Sequence, residues 1–205
     1  GSNSMLDRVA SQLKAAMGAQ GDLEHLDGEP SKAELARYPD TEFGKKMLTV
    51  SRLIRMNLGT KVFALSGGGW DTHLLQGAGG GSHSLRLRQY ADAMAAFMKD
   101  MGETAMANTL IVTMTEFGRS VKFAGTGTDH GNASAWFAMG GGVKGGVYGE
   151  WPGLSVSDQY QRRYLAHSID YNDILSEAML YHTKSADIEA VFPEHQYQPI
   201  GYLNT

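Results

Sequence analysis

Two short apolar runs with a long amphipathic stretch between them constrain this chain more than any other feature. Lys61-Val-Phe-Ala-Leu-Ser66 and Thr109-Leu-Ile-Val-Thr-Met-Thr115 each carry consecutive apolar residues, the pattern of a strand buried on both faces. From Leu85 to Met106, the residues Tyr90, Met94, Phe97, Met98 and Met101 recur at helical spacing. A strand, a long helix and a second strand leave room for a right-handed crossover, so the two runs are expected as parallel neighbours in one sheet. Ser134-Ala-Trp-Phe-Ala-Met139 is expected as a third strand. Asp170 to Tyr181, with Ile174, Ala178 and Tyr181 at helical spacing, is expected as a later helix. The expected class is α/β.

The sequence before these runs reads as helices and connectors. Leu6 to Met17 has apolar positions at helical spacing, and Gly18 to Pro30 is polar and glycine-rich. Ser31 with Glu34 three residues on has the form of a capping box. Pro39-Asp40 opens a further helix with Phe43, Met47, Val50 and Ile54 on one face, and Gly59 is expected to end it. Gly77 to Ser84 reads as a mobile surface loop.

Composition narrows the function classes. Lys plus Arg number 18 against 22 acidic residues, so no net basic field is present to hold a polyanion, and nucleic acid is not an expected partner. The 26 glycines fall in short runs between periodic segments, which marks tight loops rather than a low-complexity polymer. The chain has no cysteine, so any metal must sit on imidazole, carboxylate or hydroxyl oxygen. No apolar run approaches the roughly 20 residues that span a bilayer, and no charged-then-apolar leader is visible. Gly1-Ser2-Asn3-Ser4 before Met5 reads as the scar of a removed expression tag, so the natural start is expected upstream.

The chemistry-bearing residues collect at the ends of the expected strands. Asp71 and His73 stand just past the first run, and Glu116 directly follows the second. Thr128-Asp129-His130-Gly131-Asn132 is expected in a loop after Gly125 and Gly127. In open α/β sheets ligands bind outside the carboxyl ends of the strands, so these separate segments are expected to share one site. Asp, Glu and neutral His suit zinc, manganese or a related divalent ion, and two Asp-His sets have the capacity for two ions. Each motif alone has a plainer account. An Asp after a glycine run caps a helix or closes a turn, and Glu116 with Arg119 fits an ordinary ion pair at a strand end. His83 is expected to be solvated, and His25, His182 and His195 to lack partners. Neither triple-glycine run continues into a P-loop or a dinucleotide fingerprint, and Ser66, Ser120 and Ser134 lack a Gly-x-Ser-x-Gly elbow.

Gly69-Trp-Asp-Thr-His73, Glu116-Phe-Gly-Arg119, Gly127-Thr-Asp-His-Gly131 and Gly140-Gly-Gly-Val-Lys-Gly-Gly146 occur in that order. Together, over about Tyr38 to Phe192, they resemble the bacterial family called domain of unknown function 1501. Through that family they resemble the alkaline phosphatase, sulfatase and cofactor-independent phosphoglycerate mutase superfamily. The resemblance implies an alkaline-phosphatase-like α/β fold, with a mostly parallel central sheet flanked by helices, present here as a C-terminal, partial domain. It divides the chain into a tag scar (1–4), an N-terminal helical arm and linker (5–37), the alkaline-phosphatase-like region (38–192) and a C-terminal tail (193–205).

By the same resemblance, Asp129 and His130 take the metal-binding role of the mutases' Asp-His-Gly-Asn motif, and Asp71 and His73 serve a neighbouring metal. His167 is the best-placed candidate for a further histidine ligand. Glu116 is expected as a ligand or as support for one, and Arg119 as support or as partner of an anionic substrate. The implied cofactor is a divalent metal, zinc or manganese, with calcium as a third candidate. The implied activity is hydrolysis of small phosphate or sulfate esters by a periplasmic protein exported through the twin-arginine route. The superfamily's nucleophile and its other metal-binding aspartate lie in an N-terminal half that this chain is expected to lack, so that half is an expected partner. The alternative is a non-catalytic exported protein that keeps the fold for binding or envelope assembly.

Overall fold

The computed structural model describes residues 29–183 and 187–204. They fall into two compact units, residues 29–68 with 87–100, and residues 69–86 with 101–183 and 187–204. The expected helix from Leu6 to Met17 lies outside the described residues, as does His25. No described helix is long and apolar enough to cross a membrane.

In the first unit, helix α1 (Lys32–Leu35) is a single turn held by its capping box. Ser31 Oγ accepts from Glu34 N at 3.2 Å, and the Glu34 carboxylate accepts from Ser31 N at 2.9 Å. Helix α2 (Glu42–Met56) starts at Thr41, whose hydroxyl accepts from Gly44 N at 3.0 Å, and buries Met47, Leu48 and Val50. It stops at Asn57, which adopts the left-handed conformation at φ 53°, two residues before the expected Gly59. Asparagine tolerates that conformation well enough to serve as the terminator. Helix α3 (Ser82–Met106), of which residues 87–100 belong to this unit, begins a turn earlier than its apolar stripe suggests, so Ser82 to Ser84 are helical rather than loop. Ala93 and Phe97 are buried, and the helix breaks at Gly102, where φ is 71°.

Two residues before that break sits the polar hub of the first unit. The Asp100 side chain is only 4% exposed and accepts from Arg37 at 2.7 Å, Arg55 at 3.0 Å and the Tyr38 hydroxyl at 2.9 Å. Burial alone would raise its pKa, but the hydrogen bonds from Arg55, Arg37 and Tyr38 hold it at about 2. Burial in turn pushes the Tyr38 hydroxyl up to about 12.

In the second unit, strand β1 (Leu110–Val112) pairs antiparallel with a later strand, β4 (Ala138–Gly140), in the register Leu110↔Gly140 and Val112↔Ala138. Between them, β2 (Gly118–Ala124) and β3 (Gly127–Gly131) form an antiparallel hairpin. The fold is therefore mixed α/β, but the described strands form two two-stranded antiparallel sheets, not the mostly parallel central sheet that was expected. The chain doubles back through the hairpin, so β4 meets β1 in the opposite direction. Lys61 to Ser66 form no strand, and Val62 is 82% exposed. An apolar run becomes a strand only with an edge to pair with and faces to cover, and among the described residues no strand pairs with it.

Helix α4 (Tyr171–Thr183) anchors the C-terminal segment, and a one-turn helix α5 (Ile188–Val191) lies between. The buried Glu177 carboxylate accepts the backbone N–H groups of Ile200 at 2.9 Å and of Gly201 and Leu203 at 2.8 Å. Tyr202 O–H donates to Ile174 C=O at 2.8 Å, and Leu203 is fully buried. His195, expected to lack a partner, lies 2.8 Å from the Asp173 carboxylate, which also accepts from Gln198 N at 2.7 Å. The segment from 193 onward is thus sewn onto α4 by two buried carboxylates that sequence periodicity could not assign to anything.

Candidate metal centre

The β2–β3 hairpin turns through Gly125-Thr126, with Gly125 at φ 70°, the conformation that glycine supplies at the first position of a type II′ turn. Its register pairs Arg119 directly with His130, which puts both side chains on one face of the ladder. Thr128 to Gly131 are therefore strand residues, not the loop that the glycines suggested. Glycine is needed at both ends of β3 for close approach. A Cβ on Gly127 would meet the carbonyls of Thr72 and His73, and one on Gly131 the backbone of Arg119.

The Asp71–Gln76 loop is laid against this hairpin. Leu75 N donates to Thr126 Oγ1 at 3.0 Å and Gln76 N to Thr126 C=O at 3.1 Å. Gln76 Oε1 accepts from Thr128 N at 3.1 Å, from Thr128 Oγ1 at 2.6 Å and from Thr72 Oγ1 at 3.2 Å.

Three ligand-type atoms meet where loop and hairpin touch. Asp71 Oδ1 is 2.8 Å from His73 Nε2 and 2.7 Å from His130 Nε2, and one ligand atom from each of the three residues lies within 4.8 Å of the others. The hydrogen bond from His130 holds the Asp71 carboxyl below the usual carboxylate range, and the neighbouring His73 and Arg119 act in the same direction. Phe117 stacks on the His130 ring at 4.1 Å and 3°, and the His73 ring lies 5.0 Å from it. Arg119 Nη2 donates to the Thr72 hydroxyl at 2.9 Å, while Nη1 lies 3.5 Å from Asp71.

Asp129 stands beside these three. Its Oδ1 accepts from His130 N at 2.9 Å and lies 3.8 Å from His73 Nδ1, and its other oxygen is paired with Arg163. Arg163 follows Gln161 and Arg162, consecutive non-glycine residues at φ 52° and 58°. Two such residues in a row are uncommon and strained. The turn is held to the hairpin by Val121 N donating to Arg163 C=O at 3.3 Å and by the Ser120↔Tyr164 bridge.

The donor set fits a divalent cation on its own chemistry. One carboxylate oxygen and two imidazole nitrogens already converge within the span of a coordination sphere, and His73 Nδ1 faces a carboxylate, as metal-bound histidines commonly do. The family model described as "Protein of unknown function (DUF1501)" matches residues 2–201. The chain belongs to this family. No curated protein and no solved structure shows significant similarity to it.

Of the residues expected to form the site, the DUF1501 chain brings Asp71, His73 and His130 together as donors, with Arg119 and Asp129 against them. Glu116 is exposed and makes no ion pair or side-chain hydrogen bond with a described residue, so the Glu116–Arg119 pair does not form. His167 lies beyond the end of β3, where its Nδ1 is 3.1 Å from Asn132 Nδ2, and it is not part of the three-donor group. His83, expected to be solvated, has a buried Nδ1 without a hydrogen-bond partner among the described residues and lies edge-on to Trp70 at 5.6 Å. Burial and the charge of Arg119 hold its pKa below the ordinary imidazole value. Sequence reasoning missed Arg163, Phe117 and Gln76 in the DUF1501 chain. The stretch Gln161-Arg162-Arg163 carries no motif, and Gln76 lies only three residues past His73 in the same loop, where its polarity looked like loop composition.

Proposed function

We propose that this chain is a metal-dependent hydrolase-like protein acting on phosphate or sulfate esters, with Asp71, His73 and His130 holding the ion. The observation that carries this reading is the crowding of two imidazoles onto one carboxylate oxygen, from segments 59 residues apart in the case of His130 and Asp71. The Asp71 side chain is 58% exposed and both imidazoles are 49% exposed. Ion pairs that open to solvent add little to stability, so the convergence is poorly explained as a structural device. A cation shared by the three donors gives it a purpose. When bound, a divalent ion supplies Lewis-acid polarisation of an ester oxygen.

The chain's own residues supply the rest. Asp129 lies 3.8 Å from the second nitrogen of His73, close enough to favour the charge of a cation held by that ring. Arg119 and Arg163 border the cluster with planar guanidinium forks, whose geometry suits the oxygens of a tetrahedral anion. We assign no nucleophile. The hydroxyls of Thr72, Ser120 and Thr128 are buried and already hydrogen-bonded. Membership of the alkaline phosphatase superfamily, the position of this chain as its C-terminal part and export to the periplasm belong to the same proposal. They rest on the sequence resemblance.

Elemental mass spectrometry on chelator-treated protein resupplied with zinc, manganese or calcium tests the ion. Stoichiometric metal that disappears in a His73→Ala, His130→Ala double variant supports the site, and wild-type protein that takes up none of the three ions rejects it. The loaded protein is then assayed with p-nitrophenyl phosphate and p-nitrophenyl sulfate. Turnover of neither, with metal bound, favours the non-catalytic binding protein.

A further inference from the structure

We infer that Gln76 is a positioning residue that sets the spacing between the two ligand-bearing segments, and this inference rests on the metal reading of the cluster. Asp71 and His73 lie on backbone without regular structure, and His130 lies on β3. Their shared geometry therefore depends on what fastens loop to strand. Apart from the cluster's own carboxylate, the side-chain oxygen that joins the two segments close to their ligands is Gln76 Oε1. On the loop side it accepts from the hydroxyl of Thr72, the residue between Asp71 and His73, at 3.2 Å. On the strand side it accepts from Thr128, two residues before His130, through the hydroxyl at 2.6 Å and the backbone N–H at 3.1 Å.

Burial makes this clamp matter. Thr72 is 8% and Thr128 6% exposed, so their donors have no ready substitute in water, and losing the shared acceptor leaves them unsatisfied. Thr72 also accepts from Arg119 Nη2 at 2.9 Å, so its hydroxyl hydrogen is directed toward Gln76. A chain of hydrogen bonds thus converges on Gln76: Arg119 donates to Thr72, and Thr72 and Thr128 both donate to Gln76 Oε1. It links the arginine beside the cluster to the same acceptor that aligns the ligands. Gly127 lets the two backbones close to this distance, since any side chain there would meet the carbonyls of Thr72 and His73. A residue that only satisfied a loop would have no reason to bond both Thr72, between two ligands, and Thr128, two residues before the third.

The test is titration of the full chain with cobalt(II) chloride, following the visible ligand-field bands, for wild type, Gln76→Leu and Gln76→Glu. Circular dichroism checks that each variant is folded at the working temperature. Gln76→Leu is expected to weaken cobalt binding by about tenfold, the low end of the cost of losing a partner that touches a ligand directly, and to change the band shape. Gln76→Glu keeps acceptor oxygens for the same donors and is expected to restore the wild-type bands. Band shape reports ligand geometry, so the restoration is not mimicked by the added charge. Wild-type bands and affinity in folded Gln76→Leu overturn the inference and leave the metal site standing. Equal damage in both variants also overturns it, because packing rather than the acceptor is then responsible. Wild-type protein that binds no cobalt overturns the metal reading and the inference together.

Discussion

Asp100→Asn removes the charge from a buried cluster in which Arg37, Arg55 and Tyr38 hold the carboxylate at 2.7, 3.0 and 2.9 Å. In the folded chain the group titrates at about 2, against an ordinary value of 3.8. At 1.36 kcal/mol per unit this ties about 2 kcal/mol of stability to the ionised form. The sign follows from which state binds the proton first. As pH falls through the ordinary value the unfolded chain takes up a proton while the folded chain does not. The contribution is therefore complete above pH 4 to 5 and is lost as pH falls toward about 2. Asparagine also turns an amide N–H₂ toward donors, so at neutral pH the variant is expected to be less stable by about 3 kcal/mol, near the lower end for a broken buried pair. Urea unfolding followed by circular dichroism, from pH 7 down to pH 2, measures the gap between wild type and variant. The gap should shrink by most of its size between pH 4 and pH 2. A gap of constant size across that range would mean that the charge is not what the cluster stabilises.

Two further outcomes are expected from the second unit. Glu177→Gln keeps one acceptor oxygen but points an amide N–H₂ at a backbone donor, so it should cost about 2 kcal/mol in urea unfolding and speed amide exchange at Ile200, Gly201 and Leu203. Unchanged exchange at those three amides would show that the C-terminal segment is held by something other than this carboxylate. Gly127→Ala places a methyl group against the Thr72 and His73 carbonyls. It should destabilise the chain by about 1–3 kcal/mol and lower metal uptake as the loop moves off the hairpin, and full metal uptake in the folded variant would contradict the close approach.

What could be read from the sequence was local. Ser31 and Glu34 announce their capping box because both bonds lie within one turn, and the stripe from Tyr90 to Met101 announces α3 because helical periodicity needs no partner. Asp71, His73 and His130 were visible as ligand types, and their motifs put them in one site before any geometry was known. What failed depended on pairing. Lys61 to Ser66 has the composition of a strand but no neighbouring strand among the described residues, and Thr128 to Gly131 is flanked by glycines that argue against a strand yet are required by the backbone of the next segment. Periodicity cannot distinguish a glycine that loosens a chain from one that lets two chains touch. Asp129 matched a metal motif, but Arg163, brought in by a strained turn, engages one of its oxygens. Arg163 and Gln76 act through residues more than 30 positions away in one case and more than 50 in the other, beyond the reach of any spacing rule.

The short hairpin has a consequence for the order in which the chain assembles. β2 and β3 are joined by two residues, and hairpins of this kind close in about 1–10 μs. Arg119 and His130 are therefore neighbours early, by local diffusion alone. Asp71 stands 59 residues from His130 and reaches it only after a far larger loop has closed. Half of the cluster is ready almost at once and the other half waits on the rest of the fold. A cation that meets the chain before that second closure finds either the His130 imidazole or the local Asp71–His73 pair and exchanges freely, whereas afterwards it finds three donors.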